Sequence, residues 1–129
     1  MSGPRFILLS RAIADGAKDG IKEYVTWMVV SPNSRPLGRG ANWFDDVDAC
    51  RAAVVELRER ATELRIVISV TGSDWQWRGA LDGTATAMST RSYLRQHECD
   101  YNAQRFLEAL PDAQLVAAVR TVRGGQPVR

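Results

Sequence analysis

Runs of hydrophobic residues predict three strands in the first half of this chain. The apolar run Phe6–Leu9 has the length of a buried strand, although a helical turn gives the same pattern. Glu23–Ser31 is aromatic and β-branched, so it is predicted as a central strand in which Trp27 and Val29 share one face. Leu37–Trp43 predicts a third strand, and its two glycines indicate a bulge or a close backbone approach.

A second set of strands is predicted in the second half. Arg65–Thr71 alternates between apolar and polar positions, with its two isoleucines on one face. Trp75–Leu81 alternates as well, and Thr84–Ser89 is the returning strand. Asp82 and Gly83 between them are typical of a type I′ hairpin turn, because both central residues of that turn have positive φ.

Two stretches carry apolar residues at spacings of three and four, the pattern of an amphipathic helix. The apolar positions are Val47, Cys50, Val54, Leu57, Ala61 and Leu64 in the first and Cys99, Ala103, Phe106, Leu107 and Leu110 in the second. Asp45 or Asp46 is expected to cap the first helix, whereas the second starts without a good cap and is stopped by Pro111. Ala113–Val122 is predicted as a last edge strand or a short helix.

An aromatic residue followed six positions later by a cysteine occurs twice, as Phe44 with Cys50 and as Tyr93 with Cys99, 49 residues further on. Self-similarity at a fixed period is a sign of repeated supersecondary units. We therefore predict an α+β fold: an antiparallel sheet from two tandem strand-strand-strand-helix repeats, with both helices on one face.

The repeat sets the predicted boundaries. Residues 1–122 form a single domain, with repeat one at about 5–63, repeat two at about 64–110 and a C-terminal extension at 111–122. Residues 123–129 hold two glycines and a proline and are predicted as a flexible tail. Half-buried strands with large aromatic residues leave apolar surface to cover, so a homodimer is expected.

Composition narrows the class of protein. The chain has 129 residues, of which 45% are hydrophobic and 25% charged, as in an average globular domain. Its net charge of +2 is well short of the basic excess of a dedicated nucleic-acid binder. No apolar run has the length of a membrane span, and the first residues lack the apolar stretch of a secretion signal, so we expect a cytoplasmic protein without membrane association.

Few residues suggest catalysis or metal binding. Cys50 and Cys99 could form a redox or metal pair, but their spacing matches no metal motif and free cysteine usually packs as a small buried hydrophobe. The only histidine, His97, has no carboxylate that the sequence places beside it. The aspartates between positions 45 and 48 could bind a cation, but a helix N-terminus favours negative charge there. No cofactor or metal is predicted, and an enzyme is not favoured.

Trp27, Trp75, Trp77 and Arg78 are the remaining candidate site. Aromatic rings on strands beside a basic residue can stack on nucleic-acid bases; alternatively, the rings fill the core between sheet and helices. Trp27 falls near Trp75 when the halves are aligned with a one-residue gap. We rank core packing first and contact with a ligand or nucleic acid second.

The two aromatic-to-cysteine segments resemble the YegP-like family of small bacterial proteins. The residues that carry the likeness are Phe44, Cys50 and Val54 in the first half and Ser92, Tyr93, Cys99 and Ala103 in the second. The resemblance covers about residues 21–110 and implies two tandem copies of a strand-rich unit ending in a helix, with no activity attached. We therefore predict a non-catalytic, self-associating interaction module; the alternative is a weak, sequence-tolerant nucleic-acid-binding protein.

Overall fold

A computed structural model describes residues 3–14 and 20–121. The strands are β1 (Arg5–Ala14), β2 (Ile21–Val30), β3 (Pro36–Gly40), β4 (Arg65–Thr71), β5 (Asp74–Leu81), β6 (Thr84–Met88) and β7 (Gln114–Thr121). The helices are α1 (Val47–Glu59) and α2 (Gln96–Ala109), each followed by a three-residue 3₁₀ turn. The tail predicted at 123–129 lies outside the described residues.

The strands form one open sheet in the order β4-β5-β6-β3-β2-β1-β7. Every neighbouring pair is antiparallel except β1 and β7, which are parallel, with Phe6 opposite Leu115. The predicted α+β class is confirmed, but the prediction of a purely antiparallel sheet is wrong. Of the two alternatives predicted for Ala113–Val122, an edge strand or a short helix, the structure has a strand, β7. Its direction depends on where α2 returns the chain.

The register of β2 confirms the predicted strand faces. Trp27 lies opposite Leu8, and Val29 lies opposite Phe6, so these four side chains share one face. The buried side chains of both helices belong to the same core cluster as this face. Both helices therefore pack on one side of the sheet. The other side, here called the open face, has a smaller buried cluster of Ile7, Leu9, Met28 and Val30.

The N-termini of the two helices differ in their capping, as the sequence predicts. The Asp46 side chain accepts a hydrogen bond of 2.7 Å from the backbone N–H of Ala49 at the start of α1. Arg95, at the corresponding position of α2, makes no side-chain cap. One carboxylate therefore satisfies a free backbone donor of α1, whereas the described residues give no such cap to α2.

The hairpin between β5 and β6 has the predicted turn. Asp82 and Gly83 have φ values of 51° and 79°, the left-handed conformations that a type I′ turn requires. Arg60, just after α1, contacts the Asp82 carboxylate at 2.8 Å and the Glu63 carboxylate at 2.9 Å. These ion pairs connect the end of α1 to the hairpin.

Two isolated bridges connect the segment before each helix to a strand. Val25 of β2 pairs with Phe44, and Trp75 of β5 pairs with Tyr93, both antiparallel. Val25 lies two residues before Trp27, and Trp75 lies two residues before Trp77. An alignment of the two halves on these bridges would therefore match Trp27 with Trp77, two residues from Trp75. Such an even shift keeps each side chain on the same face of its strand.

Candidate functional site

Two of the predicted site residues, Trp27 and Trp77, lie in the core between sheet and helices. Their side chains are 1% and 0% exposed. Phe106 of α2 lies against both rings, with centroid distances of 6.1 Å to Trp27 and 4.8 Å to Trp77. The ring faces needed for base stacking are thus occupied by protein.

A buried hydrogen bond fixes one of these rings. The indole N–H of Trp77 donates to Oδ1 of Asn102 on α2 at 2.6 Å. Asn102 is itself buried, so the bond satisfies two polar groups that would be costly to leave unpaired. It also fixes the Asn102 amide, whose remaining donor is Nδ2.

The other two predicted residues are separated by the sheet. Trp75 is half-buried and packs against the helix-side core, as expected two residues from Trp77. Arg78 is exposed and lies on the open face, since it follows Trp77 by one residue in the same strand. The structure therefore brings the three tryptophans to one side and leaves Arg78 on the other, and a shared ligand contact stays a prediction.

Arg78 shares the open face with a second arginine, Arg39. It lies opposite Met88, which lies opposite Arg39, which in turn lies opposite Met28. Two arginines thus alternate with methionines across four strands of the open face. Burial lowers the pKa of the Arg39 guanidinium, and its Nε has no hydrogen-bond partner among the described residues.

The residues weighed for redox, metal or acid–base chemistry are dispersed. Cys50 and Cys99 are both buried and free, and burial raises the pKa of each thiol, to about 12 for Cys50. Asp46 is the α1 cap, and Asp45 pairs with Lys22 at 3.2 Å. Among residues 3–14 and 20–121, no group of three His, Cys, Asp or Glu side chains could hold a metal ion.

A groove runs between the start of β3 and the exposed side of α2. It consists of two adjoining hollows of about 550 and 440 Å³ that share Arg35 and Arg91. Its charged and aromatic residues are Arg35, Arg91, Tyr93, His97, Tyr101 and Arg105, with Glu98 as the one carboxylate of the lining. We call this set of residues the basic groove.

Guanidinium groups and phenol rings alternate along the basic groove. Arg91 lies over the Tyr93 ring, 5.0 Å from its centroid, and Arg105 lies over the Tyr101 ring at 5.8 Å. Nη1 of Arg105 also donates to the Tyr101 hydroxyl at 3.2 Å. Burial raises the pKa of the Tyr93 phenol, which therefore stays protonated and able to donate a hydrogen bond at neutral pH.

Two other hollows are lined by carboxylates. A hollow of about 460 Å³ beside the start of α1 is lined by Glu23, Asp45 and Asp46. A larger hollow of about 700 Å³ next to the 3₁₀ turn after α1 has only Glu63 and Asp82 as lining carboxylates, and both already pair with Arg60.

The outer edge of β4 is a second candidate surface. Its seven residues include no proline, glycine or carboxylate, and Arg65 at its start is its only charge. Val67 and Val70 are 61% and 48% exposed. Natural edge strands are usually protected by charges, prolines or bulges, so this edge is open to pairing with another strand.

Sequence reasoning missed the residues of the basic groove. Arg35, Arg91 and Arg105 are far apart in sequence, and their convergence depends on the pairing of β3 with β6. One local signal was available, since Tyr101 and Arg105 are spaced by four on a predicted helix and so share a side of it. The edge position of β4 likewise depends on the strand order.

The chain is thus a mixed α+β protein with a seven-stranded sheet, two helices on one face and no assigned chemistry. YegP of E. coli, a protein of unknown function solved by NMR, has this fold: the TM-score is 0.61 at 7% identity over 95% of this chain and 97% of that one. A UPF0339 protein of Shewanella oneidensis gives 0.57 at 6% identity over 92% and 95%.

These two structures confirm the predicted YegP-like resemblance at the level of the fold, which is all that identities this low establish. Neither the protein-family models nor the curated proteins give a match to this chain. Within residues 3–14 and 20–121, no helix is long and apolar enough to cross a membrane.

Proposed function

We propose that this protein is a non-catalytic interaction module that forms a homodimer by pairing the β4 edges of two copies. The observation that carries the proposal is the unprotected β4 edge. Its backbone groups, its sequence symmetry and its place in the fold each support this role.

The hydrogen bonds of β5 show which backbone N–H and C=O groups of β4 point outward from the sheet. Trp75 exchanges two hydrogen bonds with Tyr93, at 2.7 and 2.8 Å, and the Trp77 carbonyl accepts one from Ser89 at 2.9 Å. Both tryptophans therefore turn their backbone groups away from β4. In an antiparallel ladder the residues opposite them, Val70 and Ile68, then point their own N–H and C=O groups outward.

The same strand is self-complementary. A two-fold axis at Ile68 would pair Ile68 with its own copy and Ile66 with Val70 of the second copy. By alternation these are the residues with outward backbone groups, so about six hydrogen bonds would form. Apolar side chains would meet apolar side chains on the helix side, and the interface would be isologous, as in most homodimers.

The tandem-repeat interpretation explains why this edge is free. If β1-β2-β3-α1 and β4-β5-β6-α2 are two copies of one unit within a single domain of residues 1–122, then β4 corresponds to β1. The equivalent bridges at Phe44 and Tyr93 support this correspondence. The outer side of β1 is covered by β7, whereas no strand of residues 3–14 or 20–121 lies on the outer side of β4.

The experiment measures mass in solution. Sedimentation of the native chain should give twice the protomer mass of 14.3 kDa. In the proposed dimer Val67 lies opposite Ser69 of the second copy, with their side chains close together. The pair Val67→Lys with Ser69→Lys should therefore give a folded monomer, because like charges would face each other.

A matched variant tests the register. Val67→Lys with Ser69→Glu should remain a dimer, because opposite charges then face each other across the same interface. Val55→Lys, at an exposed position of α1, should also remain a dimer. A native chain that is monomeric at every concentration, or a dimer unaffected by the two lysines, would contradict the proposal.

Nucleic-acid binding through Trp27, Trp75, Trp77 and Arg78 ranks below this proposal. It would require Trp27 and Trp77 to leave the core, at the cost of their packing with Phe106.

A further inference from the structure

We propose that the basic groove binds a nucleotide, with the phosphate held by its arginines and the base stacked beside Tyr101. The ligand class is a phosphate ester attached to an aromatic base, whether a free mononucleotide or the 5′-phosphorylated end of a single strand. This inference does not depend on self-association, since the groove is lined by β3, α2 and the segment between β6 and α2, and β4 contributes no residue to it.

The phosphate half of the proposal is based on charge. Among the described residues, Arg35, Arg91 and Arg105 form no ion pair with a carboxylate, whereas Arg60 contacts three. Three guanidinium groups around one groove, against the single carboxylate of Glu98, leave net positive charge there. Guanidinium binds phosphate through paired hydrogen bonds, so this charge fits a compact dianion.

The proposal that a nucleotide base stacks in the groove depends on its aromatic residues. Tyr101 is 63% exposed although it belongs to a helix whose inner side is well packed. Arg105 lies over its ring and donates a hydrogen bond to its hydroxyl, and both contacts restrict the ring. Every base has an aromatic face that can stack on such a ring. Asn102 also lines the groove, and its Nδ2 remains as a donor.

Size favours one nucleotide over a polymer. The adjoining hollows, of about 550 and 440 Å³, fall in the range of small-molecule sites. A site for a longer strand would need basic residues to continue in a track, whereas the hollow beside the start of α1 is lined by Glu23, Asp45 and Asp46. The arginines of the open face lie on a different surface of the molecule.

The structure supplies its own reporter for the test. The Trp77 indole N–H is bonded to Asn102, which lines the groove, so its NMR resonance should shift when a ligand reaches Asn102. The probe is adenosine 5′-monophosphate, titrated into the native chain. We expect a saturable shift of the Trp77 indole resonance, with little change at Trp27 and Trp43.

Variants and partial ligands separate the two halves of the site. Arg91→Gln and Arg105→Gln should each weaken binding about tenfold, whereas Arg78→Gln on the open face should leave it unchanged. Tyr101→Ala should weaken binding by a similar factor, and Tyr101→Phe should retain most of it, because the ring remains. Adenosine alone and inorganic phosphate alone should both bind much more weakly than the nucleotide.

Three results would overturn the inference: no saturable shift, equal affinity for inorganic phosphate and the nucleotide, or loss of binding in Arg78→Gln instead of Arg91→Gln. A further titration distinguishes free nucleotides from strand ends as the ligand. It compares adenosine 5′-monophosphate with a single-stranded oligonucleotide that carries or lacks a 5′-phosphate. A tighter complex with the phosphorylated strand would assign the groove to strand ends, and a tighter complex with the mononucleotide would assign it to free nucleotides.

Discussion

Trp77 and Asn102 are joined by a hydrogen bond of 2.6 Å that crosses from the sheet to α2 inside the core. Both side chains are buried, and the same indole packs on Phe106 one turn further along the helix. The bond therefore sets the position of α2 along β5. It also connects the core to the basic groove, since Asn102 borders both.

Asn102→Ala should lower the free energy of unfolding by about 1–3 kcal/mol, because the buried indole N–H would lose its acceptor. Urea unfolding followed by circular dichroism measures the change. Gln104→Ala, an exposed neighbour on the same helix, should have an effect within about 0.5 kcal/mol. Equal effects from the two substitutions would show that the hydrogen bond adds little to stability.

Gly38 should not tolerate a side chain. A Cβ at this position of β3 would lie closer than 3.0 Å to both Phe106 and Trp77, which are held in the core. Gly38→Ala should therefore cost about 1–3 kcal/mol by overpacking. Gly3→Ala, where a Cβ would meet nothing within 4 Å, is the control and should be near neutral in the same unfolding measurement.

Local patterns were sufficient to predict much of this fold. The faces of β2 and β4, the Asp46 cap and the Asp82-Gly83 turn each depend on residues close together in sequence. The two glycines of β3 correctly indicated a close approach, although their partners remained unknown. Such features follow from side-chain period, capping and φ preference, which act over a few residues.

Long-range pairing could not be predicted in the same way. The parallel direction of β7 and the bridges of Val25 with Phe44 and of Trp75 with Tyr93 depend on which strands meet after the helices pack. The basic groove depends on the same step, because Arg35 and Arg91 converge only through the β3–β6 pairing. An arginine on a strand or loop looks like any solvated charge until its neighbours are known.

The inner side of α1 provides a direct test of the core. Leu57 is fully buried and Val55, two residues earlier, is largely exposed. Leu57→Ala should cost about 2–5 kcal/mol through lost burial and a cavity, whereas Val55→Ala should cost well under about 1 kcal/mol. The urea midpoints of the two variants measure these losses of stability. A larger loss for Val55→Ala would mean that the helix is rotated relative to the described packing.

Cys50 should make stability depend on alkaline pH. Burial raises the pKa of its thiol from 9.0 to about 12 in the folded chain. Between these two values the unfolded chain releases the thiol proton while the folded chain keeps it. The contribution of Cys50 to stability is therefore fully present below pH 9 and is lost as the pH rises toward 12, with a slope of up to about 1.4 kcal/mol per pH unit.

Comparison with Cys50→Ala isolates this effect, because the two proteins differ in this one titratable group. The free energy of unfolding should fall more steeply above pH 9 for the native chain than for the variant, and the two slopes should agree at pH 7–8, where the thiol is protonated in both states. Labelling gives a second readout: a thiol reagent at pH 8 should react slowly with Cys50 in the folded chain and rapidly after unfolding, since the thiolate is the nucleophile. Identical slopes above pH 9, or rapid labelling of the folded chain, would show that Cys50 is accessible to solvent.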